Sequence, residues 1–574
     1  MQIFSMQVQN LSKLFFAGVL LSALFLPLGV IADVLGDQQR FSVDSEYDIK
    51  QREELDAVLQ VANSTIYFYI EKTWWASLSE NAREQGEQSL IALADEFEQN
   101  AYPRLTQTFG SEWKPGIDND PIITVLFHEM REHAGGYTNY GDEFLRLQNP
   151  KSNEREMIYL NAKNLQSPLL KSFLAHEFVH VITFNQKNRL KDVTEEVWLN
   201  EVRAEYASTL LGYDLSYETS VVKQRVENFL SDSTNSLTEW FNITVDYGAV
   251  HLFSQYLVDQ YGVQVLADSL NSHEVGIVSL NDALAKGKFE KTFTQVFSDW
   301  LIALFLNDCS YGERYCYHNP HLVNFRIIPQ TNFLPGVGNS TLTLNNSTKD
   351  WAGNWVKILG GQEVLEVKFQ GNSSALFDVP YIIENVDRTF SVHTLELNLE
   401  GGGSVVLPKF NSEVRSIIFL PFSKTKSTKL EEPYLSHPFS FVATASSRTP
   451  QEEDALISQL LSQIEFLRKE IARLQTELAL KLGGVKVACN SISGNLFFGM
   501  KGGKVSCLQE FLKAQGEEIY PEGLVTGNFG PLTLNAVIRF QEKYADDILT
   551  PVNLAKGNGY VGFFTRAKIN SFLP

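Results

Sequence analysis

Basic residues are scarce beside acidic ones: 48 Lys and Arg face 68 Asp and Glu over 574 residues, a formal net charge of −20. Nucleic-acid binding depends on clustered cations that neutralise phosphates, so this balance argues against a nucleic-acid partner and suits a soluble protein acting outside the cell. Cysteine is scarcer still. Cys309 and Cys316 form one local pair, Cys489 and Cys507 another, and neither has the CxxC spacing of a zinc knuckle. In an exported chain an even count predicts two disulfides. Beyond residue 32 there is no uninterrupted apolar run of membrane-spanning length. The one long run, Leu14 to Ala32, follows Lys13 and carries Pro27 and Gly29 near its end. It reads as a signal peptide cleaved after Ala32, with an uncleaved anchor as the alternative.

What is present is folded, multidomain material. Apolar residues make up 44% and charged residues 20%, a globular composition, and the length exceeds one hydrophobic core. The fold class predicted is multidomain α+β. A signal peptide (1–32) precedes a mainly helical domain with a small sheet near its N-terminus (33–325). Within it, Ser45 to Phe109 reads as mostly helical, and Ile122–Phe127 and Met157–Leu160 as strands. From 326 to 447, short β-branched and aromatic runs such as Val364–Phe369, Leu395–Leu399 and Ser416–Leu420 alternate with turn residues, predicting an antiparallel β-sandwich. Residues 448–483 form a linker helix. In it Ile457, Leu460, Ile464, Leu467, Ile471, Leu474 and Leu478 make a heptad seam over 451–482, open either to a parallel homodimer or to a lone spacer. A small three-helix domain (484–574) ends the chain.

The chemistry sits in Leu174-Ala-His176-Glu177-Phe-Val-His180. Two histidines four apart on a helix share a face and can bind one ion. Glu177, next to the first, can take a proton from a water acidified by zinc as that water attacks an amide carbonyl. A tetrahedral catalytic site needs a third protein ligand and one open position. Trp198-Leu-Asn-Glu201-Val-Arg-Ala-Glu205-Tyr206 supplies Glu201 as that ligand, and Glu205 can hold a ligand histidine in its tautomer. A three-histidine set would need Gly at 183 and His at 186, where Thr183 and Gln186 stand. One catalytic zinc is therefore expected; the sequence leaves calcium open. For stabilising the oxyanion, Tyr247 is the first candidate and His251 the second. Either of the two strands named above could pair with an extended substrate.

His176-Glu-Phe-Val-His180, Phe184-Asn-Gln-Lys187 and Trp198 to Tyr206, with Ala134-Gly-Gly-Tyr137 upstream, resemble the gluzincins, especially hyicolysin-like and immune-inhibitor-A-like bacterial metallopeptidases. Val202 stands where their pattern has Gly. The resemblance covers about 33–325 and implies a secreted zinc endopeptidase acting on proteins or peptides. Residues 499–573, with Gly503–Leu512, Gly523–Thr533, Ala536–Gln541 and Gly559–Arg566, resemble a small helical peptidoglycan-binding domain, implying attachment to a cell envelope. A cell-wall peptidase cutting peptidoglycan cross-bridges and a catalytically silent wall-binding adhesin are the competing expectations.

Overall fold

A computed structural model describes residues 33–132, 134–425, 436–446, 457–471 and 489–574. The chain divides at 448/449 into two compact units. The expected signal peptide, and Leu474 and Leu478 of the heptad seam, lie outside the described residues. No described helix is long and apolar enough to cross a membrane.

The first unit begins with a six-stranded sheet: β1 (Gln38–Ser42), β2 (Glu54–Ala62), β3 (Ile66–Glu71), β4 (Ile123–His128), β5 (Gly136–Tyr137) and β6 (Met157–Asn161), ordered β1-β2-β3-β4-β6-β5. The β3–β4 and β4–β6 pairs are parallel and the others antiparallel. Because side chains alternate across a sheet, Phe68, Ile70, Val125 and Phe127 join the main core with Leu90, Phe97, Leu174 and Phe178 of the helices. Tyr67, Tyr69, Leu126 and Tyr159 pack on the other face with Phe41, Leu55 and Leu59.

Two expectations are corrected here. The helical reading from Ser45 is wrong as far as Glu71: Glu54–Ala62 alternates exposed and buried residues, and Ile66–Glu71 is buried throughout. The helices begin only at Lys72. The expected strands β4 and β6 are not edges, since β4 lies between β3 and β6, and β6 between β4 and β5. The edges are β1 and, next to β6, the two-residue β5.

Helices follow from Leu170 to Leu306, and four matter for the site. The histidine helix is Leu170–Thr183, the glutamate helix Val197–Leu211, the arginine helix Val221–Ser231 and the tyrosine helix Thr244–Tyr261. Eleven of the fourteen histidine-helix residues are buried, so it is a core helix rather than a surface one. The arginine and tyrosine helices meet closely at Gly248, where a Cβ would stand 2.5 Å from Phe229 N and 2.9 Å from the Arg225 carbonyl.

Beyond Gln330 come a four-stranded antiparallel sheet (Ser340–Thr348, Val364–Gly371, Gly402–Pro408, His437–Ser446) and a five-stranded one (Gln330–Leu334, Val356–Gly360, Pro380–Asn385, Phe390–Thr394, Val414–Phe419). They share a core containing Val367, Phe369, Ile417, Phe419 and Phe441. One pair, Gln330–Leu334 with Val356–Gly360, is parallel, so the sheets are not wholly antiparallel. The strand expected at Leu395–Leu399 is instead at Phe390–Thr394; the Leu395 N–H still bonds, to the Val379 carbonyl. Phe293 and Phe297 pack edge-on against Trp351, tying the last long helix to this region.

In the second unit, residues 457–471 are helical, and Ile457, Leu460, Ile464, Leu467 and Ile471 are all exposed. Helices Gly503–Ala514, Pro531–Lys543 and Phe563–Asn570, with a short turn at Ala545–Ile548, surround one core. Cys489 is bonded to Cys507 here, and Cys309 to Cys316 in the first unit.

Candidate metal centre

His176 and His180 leave the histidine helix one turn apart, and Glu201 reaches them from the glutamate helix. His176 Nε2 and His180 Nε2 are 3.1 Å apart; Glu201 Oε2 is 3.2 Å from the first, and Oε1 is 3.5 Å from the second. Zinc bonds of 2.0–2.1 Å at tetrahedral angles put neighbouring ligand atoms about 3.3–3.4 Å apart. The three donors therefore fit one metal ion as they stand. Glu201 Oε2 is buried without a hydrogen-bond partner among the described residues, a cost in polar burial that an ion would offset. The other close group of possible ligands, Cys309, Glu313, Cys316 and His318, does not compete, because its two sulfurs are bonded to each other.

Neighbouring carboxylates are occupied elsewhere. Glu195 pairs with Arg203 (2.8 Å) and Lys187 (3.7 Å), and Glu196 accepts from Trp198 Nε1 (2.7 Å). Val202, at the position where the resembled pattern has Gly, is fully buried in the core and leaves Glu201 at the site.

Glu205 sits one turn beyond Glu201, with Oε1 3.5 Å from His176 Nδ1. Arg225 Nε and Nη2 donate to its two oxygens (2.9 and 2.6 Å), and His251 Nδ1 lies 3.0 Å from Oε2. Burial alone would raise the pKa of Glu205; Arg225 and His251 instead hold it well below the carboxylate range. His251 is thus a partner of Glu205, with no exposed surface, and not a group facing substrate. Burial would likewise lower His176, but Glu201, with Glu177 and Glu205 behind it, lifts it to about 9. Burial raises Glu177 to about 8, with Glu201 and Glu205 adding to the effect and His176 opposing it.

A cavity of about 330 Å³ opens beside these groups and is lined by His176, Glu177, Arg225, Tyr247, Tyr47 and Gly136. The Tyr247 ring lies 6.4 Å from that of His176, its hydroxyl donates to Asn242 Oδ1 (2.8 Å), and the Arg225 guanidinium stacks on it at 4.8 Å. Tyr247 therefore shares the cavity with Glu177. Gly136, on edge strand β5, is there because a Cβ would be 2.7 Å from the Tyr159 carbonyl and 3.1 Å from Glu177 Cγ.

Sequence reasoning missed Arg225 and Tyr47. Tyr47 stacks on Tyr137 of β5 (4.5 Å) and accepts from Asn242 Nδ2 (3.4 Å). Neither residue lies in a motif; only the fold brings them to the cavity.

The comparisons with known proteins are partial. Over 213 residues, 32% of this chain, the sequence is 25% identical to the neutral metalloprotease ShpI of Staphylococcus hyicus. The chain spans about half (46%) the length of that relative. No family model matches. Among solved structures, the Yersinia pseudotuberculosis-derived mitogen (8% identical, 19% of this chain and 88% of that one) has a TM-score of 0.14. The pre-peptidase C-terminal domain of a Bacillus anthracis collagenase (5% identical, 20% and 98%) has one of 0.15. Likenesses this low carry no argument about fold or function. The ShpI match, together with three donors that fit one ion, supports a metalloprotease.

Proposed function

We propose that the chain is a secreted, zinc-dependent endopeptidase of the gluzincin type that hydrolyses extracellular proteins while its C-terminal unit holds it at a cell envelope. The observation that carries the reading is the tetrahedral spacing of His176, His180 and Glu201, with His176 and Glu177 lining one cavity. Zinc, when bound, would acidify a water and polarise the scissile carbonyl. Glu177 accepts the proton of the attacking water and returns it to the leaving amine. Glu205 fixes the His176 ring by accepting from Nδ1–H, which leaves Nε2 as the donor atom. Tyr247 donates its hydroxyl proton to the oxyanion. The free edge of β5 pairs with an extended substrate backbone.

Residues 484–574 are assigned to peptidoglycan and 451–482 to parallel pairing with a second copy, on the sequence resemblance and on the exposed heptad residues described above. Sedimentation of the full chain tests the pairing: a monomer at micromolar concentration refutes it. Zymograms test the function. Clearing of casein or gelatin, lost on zinc chelation and absent on cell-wall sacculi, is expected. Clearing of sacculi alone would instead make the chain a cell-wall peptidase, and clearing of neither would leave a silent binding protein.

A further inference from the structure

The Phe184-Asn-Gln-Lys187 motif has no part in the metal centre, yet it is built with care. The histidine helix continues into a π-helical segment, Phe184–Arg189, a rare geometry concentrated at functional sites. Three polar side chains of the segment are buried as braces. Asn185 Nδ2 donates to the carbonyls of Ser111 and Glu112, Gln186 Nε2 to that of Ser111, and Lys187 Nζ to those of Ser272 and Glu274. Phe184 and Arg189 are left to line a second cavity, of about 620 Å³, with Trp113, Phe144, Val193 and Glu143.

This cavity adjoins the metal centre. Phe184 follows His176 and His180 at successive steps of four residues, so its wall begins about 6 Å along the helix from the second ligand. Tyr140 stands between them: its ring packs on Phe184 (4.9 Å), and its hydroxyl accepts from Asn200 Nδ2 (2.9 Å), next in sequence to Glu201. The walls are mainly apolar, and the Arg189 guanidinium lies over the Trp113 ring, 3.8 Å from its centroid. Glu143 is 6% exposed, and its Oε2 has no hydrogen-bond partner among the described residues. Burial, with Glu156 nearby, raises its pKa well above the carboxylate range, Arg189 opposing. A buried acceptor without a donor is costly, and a donor brought by a ligand would satisfy it.

We propose that this cavity is a substrate subsite that selects lysine or arginine, packing the aliphatic stem against Phe144, Phe184 and Val193 and placing the cationic tip on Glu143. The assignment of the cavity to substrate rests on the peptidase reading above; its affinity for an alkylammonium tip does not.

Two measurements keep them apart. In a peptide library, wild type is expected to favour Lys or Arg at one fixed position relative to the cut. Glu143→Gln should lower kcat/KM for those peptides at least tenfold relative to leucine counterparts, and Glu143→Leu should lower it further. Cleavage with no basic preference, or a preference untouched by both variants, overturns the subsite. A preference for acidic residues that is lost in Arg189→Met would assign the cavity to the opposite charge and also overturn it. N-acetyl-lysine methylamide, followed by a fluorescence change absent from Trp113→Phe, reads the cavity without turnover. Saturable binding that weakens at least tenfold in Glu143→Gln supports the cation site even if no peptide is cut, in which case only the peptidase reading fails. No binding to wild type overturns the cation site.

Discussion

The metal centre and the core of the C-terminal unit both bury polar side chains, but they do so in opposite ways. In the C-terminal unit, Gln509 Nε2 donates to the Asn528 carbonyl and to Thr533 Oγ1, and Oε1 accepts from Thr526 N and Gly527 N. Gln541 repeats the arrangement with the Tyr560 carbonyl, Thr565 Oγ1, Asn558 N and Gly559 N. Sequence separations of 17, 18, 19 and 24 residues recur in both halves. Each amide is neutral and satisfied, and so acts as a strut for its loop. In the metal centre, by contrast, Glu201 Oε2 lacks a hydrogen-bond partner among the described residues, and the pKa values of His176 and Glu177 are displaced. Satisfied polar burial marks architecture; unsatisfied, electrically strained burial marks a site awaiting a ligand.

Substitutions can break that contrast, and the largest effect belongs to the unsatisfied side. Glu177→Gln should cut turnover about a thousandfold, within the range of general-base catalysis, while zinc content by atomic absorption stays near one per chain. Normal turnover would remove Glu177 from the base role. On the satisfied side, Gln509→Leu or Gln541→Leu strands two backbone N–H groups and should destabilise the C-terminal unit by about 2–4 kcal/mol. Chemical denaturation of the full chain should show this, with peptide cleavage unaltered. An equal loss of cleavage would deny the distinction. Next in size, Glu205→Gln keeps shape but loses the charge beside His176, and should weaken zinc binding about 10–100-fold in a chelator competition. Smallest per step is the pH dependence. With His176 raised to about 9 in the metal-free protein, zinc must displace its proton at neutral pH. Apparent affinity should rise about tenfold per pH unit from 6 to 9 and then level off, with proton release visible by calorimetry in two buffers. A flat profile would mean that His176 is already neutral.

Legibility followed the range of the interactions. His176, Glu177 and His180, and Glu201 with Glu205, were readable because helical spacing alone puts them on common faces. The strand Glu54–Ala62 was misread as helix even though its alternation of burial, visible in Leu55, Ala57 and Leu59, is a period-two signal. The glutamine repeat of the C-terminal unit is also local, in the parallel of Gln509 and Thr533 with Gln541 and Thr565, and went unread. Arg225, Tyr47 and the edge role of Gly136–Tyr137 were not readable at all. Each depends on which segments fold against one another, and the close approach at Gly248 that seats the Arg225 helix is a contact between helices.

The sequence by itself placed His176, Glu177 and His180 on one helix, Glu201 and Glu205 on another, and paired the cysteines, because a turn of helix or a short loop fixes those distances without the rest of the chain. Only the tertiary structure decided what surrounds them. It gave Glu205 its Arg225 and His251, made β5 an edge of the sheet, and left Glu143 Oε2, in the wall of a second cavity, without a donor among the described residues. Those features arise where distant segments share a core, and burial there, not sequence spacing, sets which polar groups are satisfied and which are left to bind.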